Sequence, residues 1–107
     1  MEENNTTNGD TMTTATTILS QLGGLGRLTA MTGAHNVLDH GDGVSFKFRG
    51  SRKAGYCHIT LEPSDTYTVV LGKIRKYELK KTADASGIYA GQLVELFERE
   101  TGLYLSI

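Results

Sequence analysis

One cysteine in 107 residues, Cys57, cannot close a disulfide within the chain. No arrangement of Cys and His has the spacing of a zinc site. A single proline against 13 glycines means that many turns are glycine turns. Apolar runs are short, and none approaches the roughly 20 residues of a membrane-spanning helix. Basic residues are missing before Arg27, and no apolar stretch of signal-peptide length follows the start. These absences argue against a disulfide framework, a zinc finger and a helical membrane span. They lead us to expect a protein of a reducing compartment, by default the cytoplasm. The length suffices for one domain that buries a real core without metal or disulfide support.

Val, Ile, Leu and aromatic residues are also missing from the first 17 positions, which hold seven threonines and the acids Glu2, Glu3 and Asp10. Such a segment buries too little apolar area to offset its ordering entropy. We therefore expect a disordered, Thr-rich acidic tail over 1–12 and a single α+β domain over 13–107. An acidic arm that docks on a partner or masks a basic face is conceivable, but a solvated tail is favoured.

From there the hydrophobic period changes twice. Ala15, Ile18, Leu19 and Leu22 share one face of a short helix, with Thr13 or Thr14 as its cap and Gly23-Gly24 as its end. Leu28 and Ala30 alternate with Thr29 and Met31, a modest strand signal, and His35 to Asp39 extends it or begins another. His40-Gly41-Asp42-Gly43 reads as a hairpin turn. Val44, Phe46 and Phe48 then alternate cleanly with Ser45, Lys47 and Arg49. Tyr56–Leu61 and Tyr67–Leu71 alternate again, joined by a turn at Pro63-Ser64-Asp65. Gly72 marks a bulge, after which Ile74, Tyr77 and Leu79 continue less regularly among cations.

The last element reads as a helix from about Gly87 to Thr101, capped by Ser86, with Tyr89, Leu93, Leu96 and Phe97 as its apolar stripe and Gly102 as its stop. Leu103, Leu105 and Ile107 alternate afterwards, so the end should be packed or paired. The expected fold is a two-layer α+β domain in the order α-β-β-β-β-α. In it an antiparallel meander of three to five strands is covered by an N-terminal short helix and a C-terminal helix. Its inner face should carry Phe46, Phe48, Cys57, Ile59, Leu61, Tyr67, Val69 and Leu71.

Charge is segregated along the chain. From Lys47 to Lys81 nine Lys/Arg stand against three acids, a formal +6, while the remainder is −7 and the whole −1. That pattern can place a basic face on an otherwise acidic protein. Lys47, Arg49, Tyr56, His58, Thr60 and Thr68 should share the outer sheet face, with Arg52 and Lys53 on the adjoining loop and Arg75 and Lys76 further along. Cations interleaved with aromatic rings suit nucleic acid, since cations meet phosphate and rings stack on bases. Arg and Tyr are equally favoured anchors of protein interfaces. A pI near 6.3 is far below the value above about 9 usual for a dedicated nucleic-acid-binding domain. We therefore favour a protein partner.

Catalytic chemistry has little to work with. His35, Asp39, His40 and Asp42 come nearest to a metal cluster, yet Asp and Gly in that stretch serve a hairpin turn. Cys57 and His58 are adjacent, so on a strand they point to opposite faces and cannot act as a dyad. Cys57 is in phase with core residues. Gly23, Gly24 and Gly26 lack the Lys-Ser/Thr of a phosphate loop and follow a helix where they should precede one. We expect no catalytic residues, no metal and no cofactor.

Two stretches carry a resemblance. One is Ile18-Leu19-Ser20-Gln21-Leu22-Gly23-Gly24 followed by Ala30-Met31-Thr32-Gly33-Ala34 and Asn36. The other is Ile88-Tyr89-Ala90 with Gln92-Leu93, then Phe97-Glu98, Thr101-Gly102-Leu103-Tyr104 and Ser106. From about Thr17 onward the chain resembles a family of small proteins encoded in bacteriophages and other mobile genetic elements. The resemblance implies a context, the bacterial host cytoplasm, and brings no functional residues with it. The expectation is a non-enzymatic binding module that engages a host or phage protein through Lys47, Arg49, Arg52, Lys53, Tyr56, His58, Arg75 and Lys76. Nucleic acid is the alternative partner, no membrane is involved, and a strand edge or the C-terminal tail would serve a homodimer.

Overall fold

Alternation through the middle of the chain becomes one antiparallel sheet. The computed structural model describes residues 13–105; the tail expected over 1–12, together with Ser106 and Ile107, lies outside them. Strands β1 (His35–Asp39), β2 (Gly43–Lys47), β3 (Tyr56–Leu61), β4 (Tyr67–Arg75) and β5 (Glu78–Ile88) lie side by side in chain order. The meander thus has five strands. Its register aligns the apolar positions: Phe46 faces Cys57, which faces Leu71, and Val44 faces Ile59, which faces Val69. All six are buried. A one-residue slip would turn this whole set to solvent, so the pattern itself selects the pairing.

Among the described residues, α-helices α1 (Thr14–Gln21) and α2 (Leu25–Thr32) precede the sheet and α3 (Leu93–Thr101) follows it. Thr13 caps α1, its hydroxyl accepting from the Thr16 N–H at 3.1 Å. Ala15 and Ile18 of α1 and Leu22 at its C-cap are buried in the core, and α1 lies on β2. From α3, Leu93, Leu96 and Phe97 complete the layer, with the Phe97 ring 5.1 Å from Phe48 and 6.2 Å from Phe46. Deleting a buried ring of this kind costs about 3–5 kcal/mol, so these contacts hold the two layers together.

The structure departs from the expected elements in two places. Leu28–Met31 is helix, not strand: Leu28 and Thr32 are both buried four positions apart, and the Thr32 hydroxyl donates to the Leu28 carbonyl at 2.6 Å. Gly33, at φ 69°, closes that helix in the left-handed conformation that a side chain would resist. The C-terminal helix starts later than expected, because β5 runs through Ser86 to Ile88 and a single 3₁₀ turn, Ala90–Gln92, intervenes. Tyr89 is accordingly 65% exposed and outside the apolar stripe. Gln92 closes the turn instead, its Oε1 accepting from the Tyr89 N–H at 2.9 Å. As expected for a packed segment after that helix, Leu105 is buried, and its N–H donates to Glu98 Oε2 at 2.7 Å; Ile107 lies outside the described residues.

Gly72 does lie at a register shift. Leu71 faces Ala83 while Gly72 faces Lys81, so Thr82 on β5 is the extra residue. A Cβ at position 72 would collide with the Lys80 carbonyl oxygen, which is why only glycine fits. A second shift between Tyr67 and Val69 adds another unpaired residue to β5. Eleven residues of β5 therefore lie along nine of β4, and the hairpin they make extends beyond the rest of the sheet.

Candidate functional site

Cations collect where β4 outlasts β3. The first residue of β3, Tyr56, faces Gly72, whereas β4 continues to Arg75 with only β5 beside it. The loop between β2 and β3 fills the space next to that overhang. Phe48 N–H donates to the Gly55 carbonyl at 3.0 Å, and Gly55 N–H to the Gly72 carbonyl at 2.8 Å. Arg49 N–H reaches the Thr32 carbonyl at 2.8 Å, tying the loop to the end of α2. Ser51 fastens its middle by donating to the Thr101 carbonyl at 2.6 Å and accepting from Lys53 N–H at 3.0 Å.

Between this loop and the strand ends lies an open cleft of about 430 Å³, lined by His35, Lys47, Phe48, Arg49, Ser51, Ala54, Gly55, Lys73, Ile74 and Arg75. Lys47, Arg49, Lys73, Arg75 and His35 are among the residues that line it, and no Asp or Glu is. The ion pairs among the described residues join Lys81 to Asp84 at 3.1 Å and Arg99 to Glu100 at 3.3 Å, both away from the cleft. Phe48 and Ala54 are buried and give the cleft an apolar floor.

The overhanging hairpin continues the basic surface. Its turn is two residues, Lys76 and Tyr77, both at positive φ, 50° and 67°. A two-residue hairpin of this hand normally takes Asn and Gly there, because a side chain at positive φ is strained. Tyr77 is fully exposed. Just behind it Ile74 and Leu79 face one another across the strands, each 41% exposed. Lys73, Arg75, Lys76 and Lys80 surround this apolar pair in sequence, and Glu78 is the acid among them.

A third group of polar residues lies on the outer sheet face. The rings of His40 and His58 stack at 4.5 Å, and His40 Nε2 is 2.7 Å from the Ser45 hydroxyl. Tyr56 meets His58 edge-on at 6.4 Å between centroids, its hydroxyl 3.5 Å from Nδ1. Burial lowers the His58 pKa; the neighbouring His40 lowers it further, and Asp42 opposes both. Ser45 is 2% exposed, while Tyr56 and His58 are half-buried and His40 is exposed.

Of the residues singled out from sequence, Lys47, Arg49 and Arg75 are brought together in the cleft. Lys76 stands at the hairpin turn. Arg52 and Lys53 are exposed on the loop outside the cleft, and Tyr56 and His58 belong to the stacked group. Sequence reasoning missed His35, Lys73, Ile74, Tyr77 and Leu79. The signal for the last three was there in the positions of Ile74 and Leu79, equidistant from a central Lys-Tyr pair, but nothing in that pair announces a turn.

Among the described residues, no three His, Cys, Asp or Glu side chains are placed to hold a metal ion, so His35, Asp39, His40 and Asp42 form no such group. Cys57 is wholly buried, and burial pushes its thiol far up, so it stays protonated in the core. No helix among the described residues is long and apolar enough to cross a membrane. Comparisons with protein-family models, with curated proteins and with solved structures yield no match to this chain.

Proposed function

We propose that this chain is a non-enzymatic binding module of a phage or other mobile element, working in the bacterial cytoplasm. It engages a host or phage protein through the basic end of its sheet. The observation that carries this reading is the exposed Ile74–Leu79 pair with Tyr77 at the tip, set among Lys73, Arg75, Lys76 and Lys80. Apolar anchors ringed by charge are the composition of protein interfaces: the anchors gain by leaving water, and the rim sets the partner. Phosphate backbones offer nothing for an isoleucine and a leucine to bury against. The complementary surface is an apolar patch bordered by Asp and Glu.

The test is affinity capture from host lysate with the full chain, the double variant Tyr77→Ala/Leu79→Ser, and Leu38→Ser as control. Leu38 is 58% exposed on β1, outside the basic end, and its variant should retain the captured protein. The double variant should lose it. Undiminished capture by the double variant removes the hairpin as the anchor and the reading with it.

One observation favours nucleic acid as a second reading, namely a cleft lined by four cations and no acid. Labelled DNA or RNA bound at low salt, with affinity falling steeply between about 50 and 200 mM, would establish it in place of the protein partner. A homodimer through the β1 or β5 edge is a third use of the same sheet, decided by the mass in solution.

A further inference from the structure

A five-stranded meander sorts its connections between two ends. The β1–β2 and β3–β4 turns lie at one end of the sheet, the β2–β3 loop and the β4–β5 hairpin at the other. The first two carry Asp42, Glu62 and Asp65, with Asp39 ending β1, and residues 28–46 and 54–72 hold no Lys or Arg. At the other end the loop carries Arg49, Arg52 and Lys53 without an acid, and the hairpin carries Lys73, Arg75, Lys76 and Lys80 against Glu78. Glu62 and Asp65 sit inside the basic stretch of sequence, yet the strand order carries them to the far end. The nine residues of β4 separate the two ends by about 25–30 Å, at about 3.3 Å each. That is roughly three Debye lengths at 150 mM salt, so neither end neutralises the other within one molecule. Asp42 and Asp65, like Lys73 and Arg75, form no ion pair with a described residue.

The acidic end also holds an apolar complement to the hairpin. Leu38 is 58% exposed, stands in register with Ser45, and is flanked in sequence by Asp39 and Asp42. It shares the outer sheet face with Ile74 and Leu79, because Lys47, Tyr56 and Gly72 align across the strands between them. One pole is thus an apolar set among cations, and the other a leucine between carboxylates. The sheet edges are less suited to meeting a second copy. A register shift interrupts β1 at Asn36, φ 52°, and two interrupt the pairing of β5, devices that oppose strand addition. We propose that the chain assembles end to end with copies of itself, the basic hairpin of one copy seated on Leu38 and the acidic turns of the next. Charge steers the approach, and the apolar set holds it. The contact joins unlike surfaces at opposite poles, so the last copy always keeps a free end and growth is open. This assembly rests on the hairpin being the anchor named in the proposed function, and it makes a second copy compete with the host or phage protein for that tip.

Sedimentation and light scattering of the full chain, from about 10 μM to about 1 mM, test this. At about 20 mM salt the mean mass should rise with concentration past that of two copies, and about 300 mM salt should weaken the association at least about tenfold. Asp39 Oδ1 accepts from the Gly41 N–H at 2.8 Å and so shapes its turn, which makes Asp42 the acid to alter. Leu38→Ser/Asp42→Lys blocks the acidic end, and Tyr77→Ala/Leu79→Ser blocks the hairpin. Each variant alone should stay a single copy. Mixed, they should form a heterodimer and stop there, since one competent end of each kind remains. In the unaltered protein, the backbone amide resonances of residues 38–42 and 73–79 should shift with concentration while those of 95–100 stay in place, a readout that needs no variant to fold. A mass of one copy at every concentration, a mass that levels at two, or mixed variants that do not associate would each overturn the assembly. The two readings fail separately. Leu38→Ser/Asp42→Lys should still capture the host protein, and a chain that stays single while capture depends on Tyr77 and Leu79 overturns the assembly and leaves the hairpin reading standing.

Discussion

Packing and a stacked neighbour make His58 resist protonation. Its pKa lies below the ordinary 6.5 because burial disfavours the cation, because His40 stands 4.5 Å away ring to ring, and despite Asp42. The folded state therefore binds less proton at this site than the unfolded chain does. Stability is whole above pH of about 6.5 and falls as the pH drops from there toward the depressed folded value, below which this histidine adds nothing further. Tm measured between about pH 7.5 and 5.5 should decline, and His58→Gln should decline less steeply. Parallel slopes for the two proteins would show that His58 contributes no linkage. Strand alternation was enough to separate Cys57 from His58 and to set Tyr56 beside the latter. It was silent on His40, because a residue in a turn has no period, and only the hairpin's geometry brings that ring onto His58 and its Nε2 to Ser45.

At the scale of elements, β2, β3 and most of β4 were legible because one face is buried and the other is not, which forces a period of two. The α2 helix was not, since only Leu28 and Thr32 of its eight residues are buried, too few to distinguish 3.6 from 2. The long β5 strand was hidden for a related reason: it is an edge strand, exposed over Glu78–Thr82, so no apolar alternation marks it. Its turn offers a sharp test. Lys76 and Tyr77 both hold positive φ without being glycine or asparagine, which costs stability that an Asn-Gly pair would recover. Lys76→Asn with Tyr77→Gly should stabilise the protein by about 1 kcal/mol, raising Tm by roughly 5 °C for a chain of this length. The same variant should capture its partner poorly, since it removes the exposed ring. A gain in stability matched by a loss of binding is what strain kept for recognition predicts; a loss of stability would mean that the turn is better suited to Lys-Tyr than its φ angles indicate.

Across the whole molecule, charge segregation in sequence became only partly a surface. Lys47, Arg49 and Arg75 met in one cleft because β2 and β4 are brought to the same end of the sheet by β3 between them, while Arg52 and Lys53 diverged on the loop. Counting charge along the chain could not reveal this, since which cations meet depends on where each strand stops. The +6 window nonetheless has a consequence that the protein by itself should display. Screening reaches about 30 Å at 10 mM salt and about 8 Å at 150 mM, so the mutual repulsion of the cleft cations is strong in the first case and weak in the second. Lys73 lines the cleft half-buried and has no acidic partner among the described residues. Lys73→Gln should therefore be more stable than the parent at low salt, by about 0.3–0.5 kcal/mol. The gap should close as sodium chloride rises to about 0.5 M. Denaturant unfolding of both proteins across that range measures it. Curves that stay a fixed distance apart at every salt would mean that Lys73 acts through packing of its stem, and that the cations of the cleft are too far apart to feel one another.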